Sequence, residues 1–220
     1  MDSATSRSTR DRLVAAAIEL FSTHGYAATS IGDIQVACGL TAGSGALYKH
    51  FPSKRALLEE VLRRHVQGIA AERDAVVSSI LTGLDDDADL EEILRAGARL
   101  VWQAMERDRA VIRITMRDLE PYPDLLNEFW DEVVGSVYRQ AAQLIEHVLA
   151  TGRIAVEDPD ATAGVLIASL TYFPILHGLI GRTPGDVDAD RYLDAWIDHA
   201  LRSLNVEPRQ GVQVTRTTEA

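Results

Sequence analysis

The sequence predicts an all-α fold, on three observations. Apolar residues recur at spacings of three and four along most of the 220 residues, which is the repeat of an amphipathic helix. The seven prolines fall mostly where these periodic segments end. No run of alternating β-branched and polar residues is long enough to predict a sheet. A hydrophobic content of 46% is typical of a chain that buries a core.

Short helices are predicted at the start of the chain. The first covers about residues 10–24 and ends at Gly25, since glycine favours the left-handed backbone of a helix terminus. The second covers about residues 31–38, and Ser30 and Asp33 have the spacing of a capping box at its start. Both helices carry their apolar residues on one face, which predicts that they pack against a common core.

A long helix is predicted from Ser53 to beyond residue 75, linking this N-terminal head to the rest of the chain. Further helices are predicted over residues 89–107, 109–119, 123–151, 159–181 and 186–204. The chain therefore divides into a disordered arm (1–7), a head (8–68), a larger helical body (69–204) and a disordered tail (205–220).

Charge is divided unevenly between the head and the body. Residues 1–66 hold eight Lys and Arg against six acids, whereas the remaining 154 residues hold fourteen against twenty-seven. The net charge of −11 argues against a protein that is coated in nucleic acid. The division predicts that only the head meets a polyanion.

Two short helices joined by a glycine turn, and resting on a preceding helix, are typical of a helix-turn-helix. The second of the two is predicted within Thr41–Phe51, a segment without an acidic residue. Because residues 43–46 are small, this end of the helix can enter a major groove ~12 Å wide. Backbone N–H groups at the start of such a helix also face phosphates. The segment is therefore predicted to bind DNA.

Four side chains near this segment are predicted to contact phosphates, which fix the position of a protein on DNA without reading its sequence. They are Tyr48, Lys49, His50 and Lys54. The full set of predicted DNA-binding residues is Arg10, Thr29, Ser30, Thr41, Ala42, Gly43, Ser44, Gly45, Ala46, Tyr48, Lys49, His50 and Lys54. Phe51 and Cys38 are expected in the core.

The head also carries motifs of a known family. They are Leu20-Phe21, Gly25-Tyr26, Thr29-Ser30, Gly39-Leu40-Thr41 and the string Leu47-Tyr48-Lys49-His50-Phe51-Pro52-Ser53-Lys54. These residues resemble the N-terminal domain of the tetracycline-repressor (TetR) family over about residues 8–68. The resemblance implies a helix-turn-helix domain that binds DNA, followed by a C-terminal domain for ligand binding and dimerisation.

Two features depart from the family's pattern. The turn between Gly39 and Tyr48 is two residues longer than usual, and the added length falls at the reading end of the predicted helix. Gln35 occupies a position where a small alanine commonly packs. Base contacts of the family therefore cannot be transferred position by position.

The body contains an acidic motif, Asp85-Asp86-Asp87-Ala88-Asp89, with the DDxxD pattern of all-α isoprenoid synthases that bind a diphosphate through magnesium. An all-α enzyme that uses this motif is one alternative function. The motif stands alone after Thr82-Gly83, so we favour a solvated linker and helix start. Neither this run nor the one from Asp186 to Asp190 has the glycine or glutamate of an EF-hand. No metal or cofactor is expected.

Residues 161–181 contain no charged residue and meet the length rule for a membrane span. Polar residues interrupt this segment, and a helix that is apolar on most sides can instead be buried between subunits. We therefore expect no membrane contact but a four-helix dimer bundle built from the last two helices. The predicted interface residues are Leu166, Leu170, Phe173, Leu193, Trp196, Ile197, Ala200 and Leu201.

Aromatic residues and methionines lie between the head and this seam. Most are expected in the core, although such residues also line apolar ligand pockets. The candidate ligand-binding residues are Trp102, Met105, Met116, Trp130, Tyr138, Tyr172 and His177.

The sequence thus predicts a homodimeric repressor that leaves an inverted-repeat operator when a small, largely apolar effector binds. A protein of this fold that has lost DNA binding is a further alternative. The single cysteine and an N-terminus without a signal-peptide pattern predict a cytoplasmic location.

Overall fold

The computed structural model describes residues 8–83 and 89–206, apart from the side chains of residues 72, 73, 75–77 and 79–83. These residues contain nine α-helices and no strand, as the periodicity predicts. The helices are α1 (Thr9–His24), α2 (Ile31–Ala37), α3 (Lys54–Gly83), α4 (Leu90–Arg107), α5 (Arg109–Asp118), α6 (Pro123–Phe129), α7 (Gly135–Ala150), α8 (Pro159–Ile180) and α9 (Ala189–Ser203).

The predicted helix ends follow their local chemistry. Gly25, with φ +95°, ends α1, and its N–H donates to the carbonyl of Phe21. Ser30 accepts from the backbone N–H of Asp33, whose carboxylate accepts from the N–H of Ser30. This capping box satisfies N–H groups that a helix start otherwise leaves unpaired.

The head is built around one apolar core. Phe21 of α1, Ile34 of α2 and Leu57 of α3 are fully buried in it, together with Leu47 from the connection between α2 and α3. The same core includes Ile114 of α5, so the head continues into the body without a gap. This one core includes residues on both sides of the domain boundary predicted at residue 68.

A second core fills the body between α4, α7, α8 and α9. Seven of the eight residues predicted for the dimer interface are buried in this single chain, and Leu201 is partly buried against the same core. Leu166, Leu170, Phe173, Leu193, Trp196, Ile197 and Ala200 are thus covered by their own chain, and their place in a dimer interface stays a prediction.

Helix α8 is buried on one face and exposed on another. It is long and apolar enough to cross a membrane by length and composition. Among the described residues, its buried face packs against α4, α5, α7 and α9, and a central helix of a globular core has the same composition. Its exposed face carries Val165, Tyr172, Leu179 and Ile180.

The remaining connections differ in detail from the prediction. The helix expected over residues 123–151 is divided by a π-helical turn at Trp130–Val134. Asn205 and Val206, predicted in a disordered tail, belong to the folded body, because Asn205 donates to the carbonyl of Ala155 at 2.6 Å. The rest of that tail and the arm at residues 1–7 lie outside the described residues.

Candidate nucleic-acid interface

The predicted recognition helix is, in the structure, largely a loop. Within Thr41–Phe51 only Leu47–Lys49 is helical, as a single 3-10 turn. Gly43 and Gly45 have φ values of +72° and +67°, in the left-handed region that interrupts a regular helix. The two-residue extension is thus accommodated as a loop over residues 41–46, which we call the reading loop. The helix N-terminus predicted to face phosphates is absent from this segment.

The reading loop and the turn after it form a continuous exposed segment. Residues 41–44 are exposed, whereas Gly45 and Ala46 are half-buried. Tyr48 is 57% exposed, and Lys49 and His50 are exposed beside it. Leu47 and Phe51 point into the core and fix both ends of the turn. The predicted DNA-binding residues between Thr41 and His50 therefore share one surface, with Gly45 and Ala46 at its inner edge.

Two predicted DNA-binding residues have structural roles instead. Thr29 is 2% exposed, and its hydroxyl donates to the carbonyl of Gly25 at 2.8 Å. The ammonium of Lys54 donates to the carbonyls of Tyr26 and Thr29 at 2.8 and 2.9 Å. It also lies 4.3 Å from the ring centroid of Tyr26. The Thr29 hydroxyl fastens the α1–α2 connection to the end of α1. Lys54 fastens that connection to the start of α3, so its ammonium is held by backbone carbonyls and not left free for a phosphate.

Arg10 joins α1 to α3. It pairs with the carboxylate of Glu60, which is 6% exposed and also receives hydrogen bonds from Arg63 and Arg64. Burial raises the pKa of Glu60, but the hydrogen bonds from Arg10, Arg64 and Arg63 outweigh it and hold the pKa at about 2. The guanidinium of Arg10 also stacks over Phe51, 5.0 Å from its centroid. Arg10 therefore supports the turn after the reading loop.

Residues that connect the head to the body were missed by sequence reasoning. On α5, the guanidinium of Arg117 donates to the backbone carbonyls of Phe21 and Ser22 at the end of α1. The neighbouring carboxylate of Asp118 accepts from the N–H of Tyr26 at 3.2 Å. These partners are more than ninety residues apart in the chain, and no local pattern marks such a pair.

The candidate ligand-binding residues fall into two groups. Met116, Trp130 and Tyr172 are 55%, 59% and 62% exposed on the outside of the body, and their role in ligand binding stays a prediction. Trp102, Met105, Tyr138 and His177 are half-buried.

Trp102 and His177 of the second group contact aromatic and charged side chains of neighbouring helices, between α4, α8 and α9. Trp102 lies 6.0 Å from Phe173 and 5.8 Å from Tyr192 by ring centroid. Nδ1 of His177 lies 3.1 Å from a carboxylate oxygen of Glu106. These contacts bring apolar surface and an ionisable pair into the same part of the body.

An open groove of about 750 Å³ lies elsewhere, between the end of α7, the start of α8 and the end of α9. Its lining includes Leu149, Val156 and Val165. None of the seven predicted ligand-binding residues lines it. It is continuous with the exposed face of α8 through Val165.

Two family models match the chain. The model for bacterial regulatory proteins of the tetR family matches residues 13–61. The model for the C-terminal domain of AefR-like transcriptional repressors matches residues 88–203, more than half of the chain. The chain belongs to the TetR family. The resemblance of its N-terminal motifs to this family is confirmed.

Curated relatives of this TetR-family chain include a repressor and an activator. The transcriptional repressor KstR2 of Rhodococcus jostii is 31% identical over 105 residues, which cover 48% of this chain and 47% of KstR2. The transcriptional activator FasR of Mycolicibacterium smegmatis is 32% identical over 105 residues, 48% of this chain and 44% of FasR. The matched region spans about half the length of these curated relatives.

Solved structures of several regulators share the fold over most of the chain. PfmR of Thermus thermophilus superimposes with a TM-score of 0.67 at 22% identity, covering 88% of this chain and 99% of PfmR. A regulator from Rhodococcus RHA1 gives 0.66 at 21% identity, covering 92% and 100%. The flavonoid-responsive regulator FrrA gives 0.56 at 26% identity, covering 91% and 97%.

The acidic motif of this TetR-family chain is described only in part. Residues 85–88 lie outside the described residues. The carboxylate of Asp89 accepts from the N–H of Glu91 at 2.9 Å and caps α4, as expected for a helix start. Among the described residues, no group of three or more His, Cys, Asp or Glu side chains is placed to hold a metal ion.

Proposed function

We propose that this TetR-family regulator is a homodimeric repressor that binds an inverted-repeat operator through the reading loop and Tyr48, Lys49 and His50. The observation that carries the proposal is the exposed, acid-free segment 41–50 on a rigidly held head. Small residues fit the floor of a major groove, while Lys49 and His50 suit the phosphates at its edge. Such a regulator acts in the cytoplasm, where the DNA is.

The charges of the head support this orientation. Three of its acids, Asp11, Glu59 and Glu60, are engaged by arginines on α3, away from the reading loop. The segment 41–50 itself offers a DNA backbone only basic and neutral side chains. The acidic body repels the same backbone and leaves the head as the contact surface.

For the dimer, we infer that the exposed face of α8 meets a second copy of this chain. Val165, Tyr172 and Leu179 recur every seven residues and are 58%, 62% and 39% exposed. Aligned apolar residues of this size on a helix surface are typical of a subunit interface. The family implies a four-helix bundle of α8 and α9. We therefore assign the α8 part of the interface to its exposed face, and not to the residues of α8 that are buried in their own chain.

The proposed effector binds in the body and acts on the head through α5. Arg113 donates to the carbonyl of Gly178 on α8, and Arg117 and Asp118 bind the end of α1. A ligand that moves α8 against α5 thus shifts the heads relative to each other. Because an operator fixes the separation of two heads, such a shift weakens binding.

The effector's chemistry follows from the side chains near Trp102. We infer a small, largely apolar ligand, since Trp102, Phe173 and Tyr192 offer ring surface. FrrA, at 26% identity, responds to flavonoids, a class of aromatic ligand.

Selection of genomic DNA fragments tests the proposal. Sheared genomic DNA of the source organism is bound to the protein at near-physiological salt, and the bound fragments are sequenced. A Tyr48→Ala, Lys49→Ala double variant is the matched control. We expect the parent alone to enrich fragments that share an inverted repeat. If parent and control enrich the same fragments, or neither enriches any, the proposed function is wrong.

A further inference from the structure

We propose that Gln35 is a positioning residue that holds the reading loop in register and so determines which bases the protein selects. The inference rests on the proposed function, because it concerns how that same surface reads DNA. Gln35 lies on α2, does not reach the protein surface, and has not been placed among the DNA-binding residues. Its side chain is 1% exposed.

The amide of Gln35 makes two hydrogen bonds to the reading loop. Its Oε1 accepts from the backbone N–H of Gly43 at 3.1 Å. Its Nε2 donates to the hydroxyl of Ser44 at 3.3 Å. One neutral side chain thus satisfies a donor and an acceptor on adjacent residues. Glutamine suits this position because its amide carries both kinds of group, whereas an alanine would reach neither.

The loop's internal hydrogen bonds extend this anchor. The N–H of Ser44 donates to the carbonyl of Thr41 at 3.2 Å, and the N–H of Ala46 donates to the Ser44 hydroxyl at 3.4 Å. The Ser44 oxygen therefore accepts from both Gln35 and Ala46. Its hydroxyl proton is the side-chain group that these bonds leave for an acceptor on DNA.

The position of α2 beneath the loop is itself fixed. The N–H of Leu40 donates to the backbone carbonyl of Gln35 at 2.8 Å, and the thiol of Cys38 donates to the same carbonyl at 3.3 Å. The backbone of Gln35 closes the end of α2 while its side chain holds the loop. A shift of the loop relative to α2 would thus break hydrogen bonds of both the side chain and the backbone of Gln35.

Gln35 and the longer turn are the two departures from the family's sequence pattern, and in the structure they contact each other. The extended loop contains two left-handed glycines and would otherwise have many accessible conformations. The buried amide of Gln35 binds the centre of the loop and so restricts the loop to the conformation described here. We infer that the two departures form a matched pair, with the glutamine compensating for the extra length.

The test compares Gln35→Met with the parent protein. Methionine keeps the length and fills the site, but it cannot bind Gly43 or Ser44. Gln143→Met is the matched control, since Gln143 is exposed on α7. Ser44→Ala removes the second bond of the anchor from the exposed side. Because Ser44 can also contact DNA directly, hydrogen exchange at the Gly43 amide of this variant, and not its affinity ratio, decides the test should Gln35→Met fail to fold.

Two measurements are made on each protein. The first is the ratio of the affinity for the selected operator to that for unrelated DNA, at several salt concentrations. We expect Gln35→Met and Ser44→Ala to lower this ratio about tenfold or more, while the affinity for unrelated DNA and its salt slope stay unchanged. The second is hydrogen exchange at the Gly43 amide, which we expect to be faster in both variants.

The outcomes separate the inference from the proposed function. An unchanged operator ratio and unchanged Gly43 exchange in folded Gln35→Met would overturn the inference. Equal losses for operator and unrelated DNA would also overturn it, because they indicate general damage to the head. If the parent itself shows no sequence preference, the proposed function fails, and the exchange rate alone decides whether Gln35 holds the loop.

Discussion

At the scale of single residues, the head shows how one charged side chain can be assigned to the wrong task. Lys54 follows a motif that suggests DNA contact, and a lysine at a helix start gains nothing from the helix dipole. The structure supplies another reason for its presence. Its ammonium binds two backbone carbonyls and the face of Tyr26, and these contacts replace the solvent that a surface lysine would keep.

We therefore expect Lys54→Ala and Lys49→Ala to behave differently. Lys54→Ala should lower the free energy of unfolding by about 2 kcal/mol, because two charge-assisted hydrogen bonds are lost. It should leave the salt slope of DNA binding unchanged. Lys49→Ala should reduce that slope by about one and leave stability within about 0.5 kcal/mol. Chemical denaturation and salt titrations measure both quantities, and a lower salt slope for Lys54→Ala would restore it as a phosphate contact.

Glu60 makes the stability of the head depend on pH. Its pKa is about 2 in the folded state against an ordinary value of 4.5. A carboxylate with a depressed pKa stabilises the fold above its unfolded-state pKa, and that contribution disappears as pH falls from about 5 towards 2. We expect the parent to lose about 2 kcal/mol more over this range than Glu60→Gln does.

Denaturation at a series of pH values measures this difference. Glu59→Gln is the control, because Glu59 is an exposed acid of the same helix paired with a single arginine. Its effect should stay below about 1 kcal/mol. Parallel stability curves for the parent and Glu60→Gln between pH 5 and 2 would show that the arginine cluster does not depend on the charge of Glu60.

At the scale of elements, the sequence predicted where the helices begin and end better than it predicted which face of each helix is exposed. Helix α8 was expected at residues 159–181 and covers Pro159–Ile180. Because it is apolar on most sides, its periodicity could not show which face is buried in its own chain. Leu166 and Val165 look equally suitable in the sequence, yet they are 6% and 58% exposed.

The reading loop shows the second limit of sequence reasoning. The absence of acids and the small residues between Thr41 and Phe51 predicted a DNA-binding helix, and the structure leaves residues 41–44 and 48–50 of this segment exposed. They could not show that Gly43 and Gly45 take the left-handed backbone that replaces a helix by a loop. That choice depends on the buried amide of Gln35, which contacts the loop from a different helix.

The exposed face of α8 can be tested directly. Tyr172→Asp places a charge in the inferred interface, where burial of an unpaired carboxylate is costly. We expect the dissociation constant of the dimer to rise roughly 100-fold, equivalent to about 2.7 kcal/mol, with unchanged helix content. Analytical ultracentrifugation over a concentration series measures it.

Met116→Asp is the matched control for this substitution, since Met116 is 55% exposed on α5. It should leave the dimer intact. A parent that is monomeric, or a Tyr172→Asp dimer as tight as the parent's, would show that the second copy does not use this face.

At the scale of the whole molecule, α5 connects the two cores. Ile114 and Val111 belong to the head core, and Arg113 binds the backbone of α8 in the body. Arg117 and Asp118 then hold the end of α1. A head joined to the body through packed side chains and hydrogen bonds moves with it. In the proposed dimer, we expect this connection to let a ligand bound in the body change the separation of the two heads.

The most direct test of the central claim is a dimethyl sulfate footprint of the parent on the DNA that it selects, since this reagent reports guanine N7 in the major groove. We expect two symmetric protected patches, with centres one helical turn, ~34–36 Å, or a close multiple apart. The Tyr48→Ala, Lys49→Ala variant should protect neither patch. A single patch, or binding that leaves every guanine N7 reactive, would contradict a dimer that reads the major groove with residues 41–50.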